Sequence, residues 1–182
     1  MIEAQGMEPQ KVFDSFLVLE YQSGNKKALE LLVNRHHKKM CRHAYGYVHD
    51  FDSSKDIIQD CWGAIINKLH GLKDPNSFGS WAMRIVTRKS LDYLNRDSRK
   101  REKLKQYKLF SNDDIIENGT VEILRLKKAI HTLTNDQQVV LRLFYTEDYP
   151  LKEIAGILDI SVGTVKSRLF HAREKLKTIV KN

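Results

Sequence analysis

The chain has 182 residues, 41% of them apolar, with only three prolines and nine glycines, enough core-forming material for one ordinary domain or two small ones. Its 31 Lys and Arg against 23 Asp and Glu give a net charge of +8, which favours a polyanionic partner. Two cysteines, Cys41 and Cys61, are too few for a disulfide framework, no apolar run reaches the length of a membrane span, and the N-terminus lacks a signal-peptide pattern, so a cytoplasmic location is expected.

The charge is unevenly placed. Between Arg84 and Lys108 ten basic residues stand against three acidic ones, a surplus of +7. From Thr164 to Asn182 six basic residues stand against one acidic residue, a surplus of +5, and the remainder of the chain is net negative. Two separate basic blocks are what two contact surfaces for a polyanion require.

Helical periodicity dominates, and no segment alternates as a strand. Leu29, Leu32, Val33, His36, Met40, Ala44 and Val48 follow the three-and-four spacing of one helix face. Ile58, Cys61, Trp62, Ile65, Ile66 and Leu69 form a second apolar stripe, with Ser53 and Ser54 as expected N-caps and Asp56 in the first turn. The stretch His70 to Ser77 contains Gly71 and Pro75 and breaks the chain. A third helix is expected from about Phe78 to Arg96, burying Phe78, Trp81, Ala82, Ile85 and Val86. Ser98 to Thr120 reads as a linker, charged at its start and turn-prone at Asn112 to Gly119. Helices return with Ile123, Leu126, Ile130 and Leu133, then Val139, Val140, Leu143 and Phe144.

The C-terminal part carries the sharpest local pattern. After Pro150, which suits a helix start, Leu151, Ile154, Ala155 and Leu158 define a short amphipathic helix. Asp159, Ile160 and Ser161 form a tight connection, with Ser161 a good N-cap. A second helix then buries Val165, Leu169, Ala172, Leu176 and Ile179. Turning about 100° per residue, Gly163, Ser167, Phe170, His171 and Glu174 point away from that core, flanked by Thr164 and Lys166. Such a helix-turn-helix puts its second helix in the major groove. Thr164, Ser167 and His171 have the chemistry to bond bases, and Lys166, Arg168 and Arg173 the charge to position phosphates.

These residues also carry a family resemblance. Glu153-Ile154-Ala155, followed by Ile160-Ser161-Val162-Gly163-Thr164-Val165-Lys166-Ser167-Arg168-Leu169, resembles the minus-thirty-five-reading region 4 of extracytoplasmic-function (ECF) sigma factors. Leu133, Gln137, Val140 and Leu141 are similar to the helix that precedes it. His171 stands where the family commonly has Arg. Phe16 through Lys39, with Gly24, Asn25 and the run Ala28 to Leu32, resembles region 2.1, and Asp56 to Trp62 resembles region 2.2. Phe78, Trp81, Arg84, Ile85, Leu91, Asp92, Tyr93 and Leu94 resemble regions 2.3 and 2.4. Lys55 replaces a common acid and Arg88 a common Asn.

The resemblance implies an all-α chain of two small helical domains: region 2 at 10–97, a flexible linker at 98–120, and region 4 at 121–180. It implies a non-catalytic specificity subunit with core RNA polymerase, promoter DNA and an anti-sigma factor as partners. No cofactor, metal, small-molecule substrate or obligatory membrane contact is expected. Polymerase docking is expected at Asp56, Gln59, Asp60 and Gly63, which share a polar helix face opposite the apolar stripe. Minus-ten DNA is expected at Lys73, Asn76, Arg84, Arg88, Lys89, Asn95, Arg96 and Arg99, with the 70–77 loop receiving an unstacked base. Minus-thirty-five DNA is expected at Ser161, Thr164, Lys166, Ser167, Arg168, His171 and Arg173.

Other classes fit less well. The sequence has no Walker-type phosphate loop, no G-x-G-x-x-G and no nucleophile elbow, and nothing sets a base beside the Asp56/Asp60 or Glu147/Asp148 pairs. His37 and Cys41, four apart with His36 and His43 nearby, do not make a zinc pattern. A stand-alone helix-turn-helix repressor or activator, binding a palindrome without polymerase, is the alternative.

Overall fold

A computed structural model of the chain describes residues 9–104 and 128–181, with side chains at 9–96 and 128–179. The elements among these residues are helical: α1 (Pro9–Gln22), α2 (Lys27–Val48), α3 (Phe51–Leu69), a 3-10 turn at Pro75–Ser77, α4 (Phe78–Leu104), α5 (Asn135–Tyr145), α6 (Leu151–Leu158) and α7 (Val162–Lys181). The chain divides into two compact units, Met1–Tyr93 and Leu94–Asn182, so the all-α, two-unit architecture is the one expected.

In the first unit the helices bury one continuous apolar core. Leu17 and Val18 of α1, Leu32, Met40 and Ala44 of α2, Ile58, Cys61, Ile65 and Leu69 of α3, and Phe78, Ala82, Met83 and Val86 of α4 are all buried. The Leu, Ile, Val, Met and Phe side chains among them contribute roughly 1.5–3 kcal/mol each when fully removed from water. Burial also pushes the Cys61 thiol up to about 12, which keeps it protonated and unreactive at neutral pH.

Several details differ from the sequence reading. Asp50, not Ser53 or Ser54, caps α3: its carboxylate accepts from Ser53 N–H at 2.7 Å in extended geometry. The helix therefore starts earlier, Asp52 occupies its first turn, and the serines lie inside it. Ile57 is buried in the stripe, whereas Ile66 is 37% exposed at its edge. Helix α4 runs on to Leu104, because the charged segment after Arg96 holds neither glycine nor proline until then. The first residues of the expected linker, 98–104, thus continue α4 as helix, while 105–127, including Ile123 and Leu126, lie outside the described residues.

A polar centre ties α1 to α2. Asp14 is only 8% exposed. Its Oδ1 accepts from Arg35 Nε at 2.6 Å and its Oδ2 from His36 Nε2 at 2.8 Å. The His36 ring in turn packs edge-on against Phe78 at 5.0 Å, joining this centre to the start of α4. A second polar contact lies deeper: His43 Nε2 meets Thr87 Oγ1 at 2.9 Å, and that hydroxyl donates to Met83 O at 3.0 Å.

The second unit packs α7 against α5 and α6, burying Val139, Val140, Leu143, Ile154, Ile157, Val165, Leu169 and Ala172. Helix α5 opens with a capping box, in which Thr134 Oγ1 accepts from Gln137 N–H and Gln137 Oε1 accepts from Thr134 N–H. Ile179, expected in the core, is 39% exposed near the end of α7.

Burial alone would raise the Asp14 pKa, but the hydrogen bonds and charges of His36 and Arg35 outweigh it and hold the carboxyl below its ordinary value of 3.8. A depressed carboxylate stabilises the fold fully above about pH 3.8 and loses that contribution as pH falls through its lower folded value. Asp14→Ala is expected to cost about 2 kcal/mol in urea denaturation at pH 7, the scale of hydrogen bonds to a charged group. The difference from the parent protein should shrink steadily below about pH 3.8.

Candidate nucleic-acid and polymerase interfaces

Helix α3 presents Asp56, Gln59, Asp60 and Gly63 to solvent, on the face opposite Ile58, Cys61 and Ile65. Residues three and four apart share a helix face, so these four form one polar strip. Ile66 extends it, an exposed apolar neighbour that periodicity had assigned to the core. A methyl group at Gly63 would meet nothing within 4 Å, leaving a flat spot in the strip. Asp60 lies 3.8 Å from Lys89 of α4, an ion pair across the two helices.

On α4, Arg88, Asn95 and Arg96 are exposed and Arg84 and Lys89 half-buried. Arg84, Arg88 and Asn95 follow one face, with Leu91 exposed among them; Lys89 and Arg96 lie on the neighbouring face. Arg99 lies on the same helix, its side chain outside the described residues. Tyr93 fixes this part of α4 to the start of α3 through a 2.7 Å contact between its hydroxyl and Ser53 Oγ.

Between α3 and α4, Lys73 and Asn76 are exposed on a short, ordered loop. Asp74 organises it: its Oδ1 accepts from the Asn76 backbone N–H at 3.1 Å and from Asn76 Nδ2 at 3.3 Å. Its carbonyl accepts from the Ser77 hydroxyl at 2.6 Å. Asp74 was missed as a site residue, although Asp followed by Pro and Asn carries a turn signal.

In the second unit, Asp159 adopts the left-handed conformation, φ 60° and ψ 43°, and ends α6. Ser161 Oγ then accepts from Thr164 N–H at 3.0 Å and lies 2.9 Å from Thr164 Oγ1, so both hydroxyls serve the start of α7. Lys166, Ser167, Phe170 and His171 are exposed along α7, and the Phe170 and His171 rings meet edge-on at 5.4 Å. Arg168 is turned toward α5, where it pairs with Asp136 at 2.5 Å. Arg173 sits over the Phe144 and Tyr145 rings at 5.6 and 5.4 Å. Two of the expected phosphate cations are therefore also held by the unit's own side chains.

His37 and Cys41 are engaged within the fold. Trp62 Nε1 donates to His37 Nδ1 at 3.2 Å, and Cys41 Sγ lies 3.5 Å from His37 Nε2. Among the described residues no group of three His, Cys, Asp or Glu side chains converges to hold a metal ion.

Residues 32–100 match the family model described as Sigma-70 region 2, and residues 123–176 match Sigma-70, region 4. The chain belongs to the ECF branch of the sigma-70 family. Its relatives include the ECF RNA polymerase sigma-E factor of Haemophilus influenzae, 27% identical over 181 residues, covering 92% of this chain and 95% of the relative. The protein of the same name from Escherichia coli is 27% identical over 180 residues, covering 92% and 94%.

Two solved structures share the sigma fold. The sigma factor RpoE, in complex with the anti-sigma factor NepR from Bartonella quintana, matches with a TM-score of 0.72 and 19% identity over 85% of this chain and 98% of that one. CnrH, in complex with the cytosolic domain of CnrY, matches with a TM-score of 0.67 and 23% identity over 93% and 97%. In sigma terms the region 2 match spans most of α2, all of α3, the loop and most of α4, and the region 4 match spans α5 and the helix-turn-helix.

Gly63 gives a direct check on the exposed strip of region 2. Because a methyl there is unopposed and glycine weakens a helix interior, Gly63→Ala should raise stability by about 1 kcal/mol in thermal unfolding.

Proposed function

We propose that this chain gives RNA polymerase its promoter specificity through two separate DNA-facing surfaces. Residues 10–97 dock on core polymerase and melt the minus-ten element, residues 121–180 read the minus-thirty-five element as duplex, and residues 98–120 cross between them. The observation that carries this reading is the pairing of two basic helix faces, on α4 and on α7, within a chain that matches both sigma regions in order.

The chemistry divides accordingly. Asp56, Gln59, Asp60 and Gly63, with Ile66 at the edge, offer polymerase an acidic strip with an apolar margin, suited to a basic partner surface. Arg84, Arg88, Lys89, Asn95, Arg96 and Arg99 line minus-ten phosphates. Lys73 and Asn76 take the displaced strand, and the loop between α3 and α4 receives a base that costs a few kcal/mol to unstack. On α7, Ser167 and His171 face base edges and Lys166 faces a phosphate, while Ser161 and Thr164 set the entry of the helix. Arg168 and Arg173 act from the margins, where Asp136 and the Phe144/Tyr145 pair orient them.

The polymerase performs the nucleotidyl transfer, and this chain contributes binding and orientation without a catalytic group of its own. It works in the cytoplasm. An anti-sigma factor holds it inactive, a reading supported by the solved sigma folds bound to NepR and CnrY.

Run-off transcription with purified core polymerase on a genomic promoter library tests the reading. Transcripts that depend on this protein and share two spaced upstream elements are expected. Their absence, together with tight palindrome binding by the protein alone, would make it a stand-alone repressor or activator. A finer test is Lys166→Ala. It should weaken promoter binding evenly across sequences and reduce the slope of log affinity against log salt by about one, measured as holoenzyme binding to duplex promoter.

A further inference from the structure

Helix α1 ends in a turn that passes through Gly24 at φ +108°, which leaves Gln22 as its last residue. The Gln22 amide reaches across to another part of the chain. Its Nε2 donates to Leu69 O at 2.9 Å and to Leu72 O at 3.0 Å, with His70 O at 3.4 Å. These carbonyls belong to the end of α3 and the start of the loop that carries Lys73 and Asn76. The final carbonyls of a helix have no intrahelical partner. Here Gly71 N–H and Leu72 N–H return to Lys68 O and Leu69 O, and Gln22 adds a donor to Leu69 O and to the carbonyls of His70 and Leu72 just beyond it, from a segment distant in sequence. The neighbouring Tyr21 ring packs against His70 at 4.8 Å.

The far end of the loop is held from the same helix. Phe78 follows the 3-10 turn and packs on His36, which is bonded to Asp14 of α1. Helix α1 thus fastens the loop at its start directly and at its end through one intermediary.

We propose that Gln22 is a positioning residue for promoter melting. By gripping the carbonyls of Leu69, His70 and Leu72 it presets the loop that receives the unstacked base. This inference rests on the loop's role in the reading above. A base leaves the stack only if what receives it returns the unstacking cost. A loop already ordered in the free protein avoids adding its own ordering entropy to that step.

The test follows open-complex formation by permanganate reactivity of minus-ten thymines, using the full chain, core polymerase and a duplex promoter. Gln22→Leu keeps the side chain's size and removes its donors. Gln22→Lys restores a donor, and the double variant Lys73→Ala/Asn76→Ala reports on the loop itself. Gln22→Leu is expected to slow opening by about 10-fold, the scale of losing two or three hydrogen bonds. It should also flatten the preference among bases at the unstacked position, with core affinity unchanged and opening substantially recovered in Gln22→Lys. Normal opening and base preference in Gln22→Leu, with a slow double variant, would overturn the proposal and leave the loop reading intact. Normal opening in the double variant would remove the loop reading and the Gln22 role with it. If Gln22→Leu does not fold, the shorter amide of Gln22→Asn replaces it. Loss of core affinity, minus-thirty-five binding and opening in equal proportion would reduce Gln22 to a general stabiliser.

Discussion

Asp14, nearly excluded from water between Arg35 and His36, is the interaction on which the geometry of the first unit turns. A buried carboxylate is unfavourable unless it is paired and hydrogen-bonded, and here both oxygens are engaged. That requirement fixes α1 against α2. Because His36 also packs on Phe78, it fixes where α4 begins. With α3 and α4 set in this way, the loop between them has little freedom left, and Asp74 and Gln22 take up much of what remains.

The second unit reaches a similar end by simpler means. Its core is an apolar wedge between α7 and the pair α5 and α6, and its precision comes from helix ends. Thr134 and Gln137 close the start of α5, Asp159 in the left-handed conformation stops α6, and Ser161 begins α7 directly afterward. So short a connection fixes the direction of α7, and its twist fixes which side chains face outward. Arg168 and Arg173 show that charge on such a helix is shared between the fold and its surroundings: one is paired with Asp136, the other rests on an aromatic pair.

Much of this was legible in the sequence, for definite reasons. Strong three-and-four periodicity located α2, α3, α6 and α7, and the outward residues of α7 follow from the same period. The acidic strip on α3 was legible because Asp56, Gln59, Asp60 and Gly63 are spaced as one face. Stripe edges were not: Ile57 and Ile66 lie close to the boundary, and only packing decides that one is buried. The cap of α3 was misread because Ser53 and Ser54 are themselves good cap residues, and Asp50 wins by accepting from Ser53 N–H. The Asp14 centre and the Gln22 contacts join residues on different elements, 21 and 47 positions apart, so no local pattern announces them.

The central claim is that one chain engages two promoter elements at once while polymerase holds its two parts at a set separation. Changing the number of base pairs between the elements tests this most directly, because each added pair moves one element along and around the duplex by a known step. With core polymerase present, transcription should show a sharp optimum at one spacing and fall steeply when base pairs are added or removed. Activity indifferent to spacing, or binding of equal strength without core polymerase, would contradict the account.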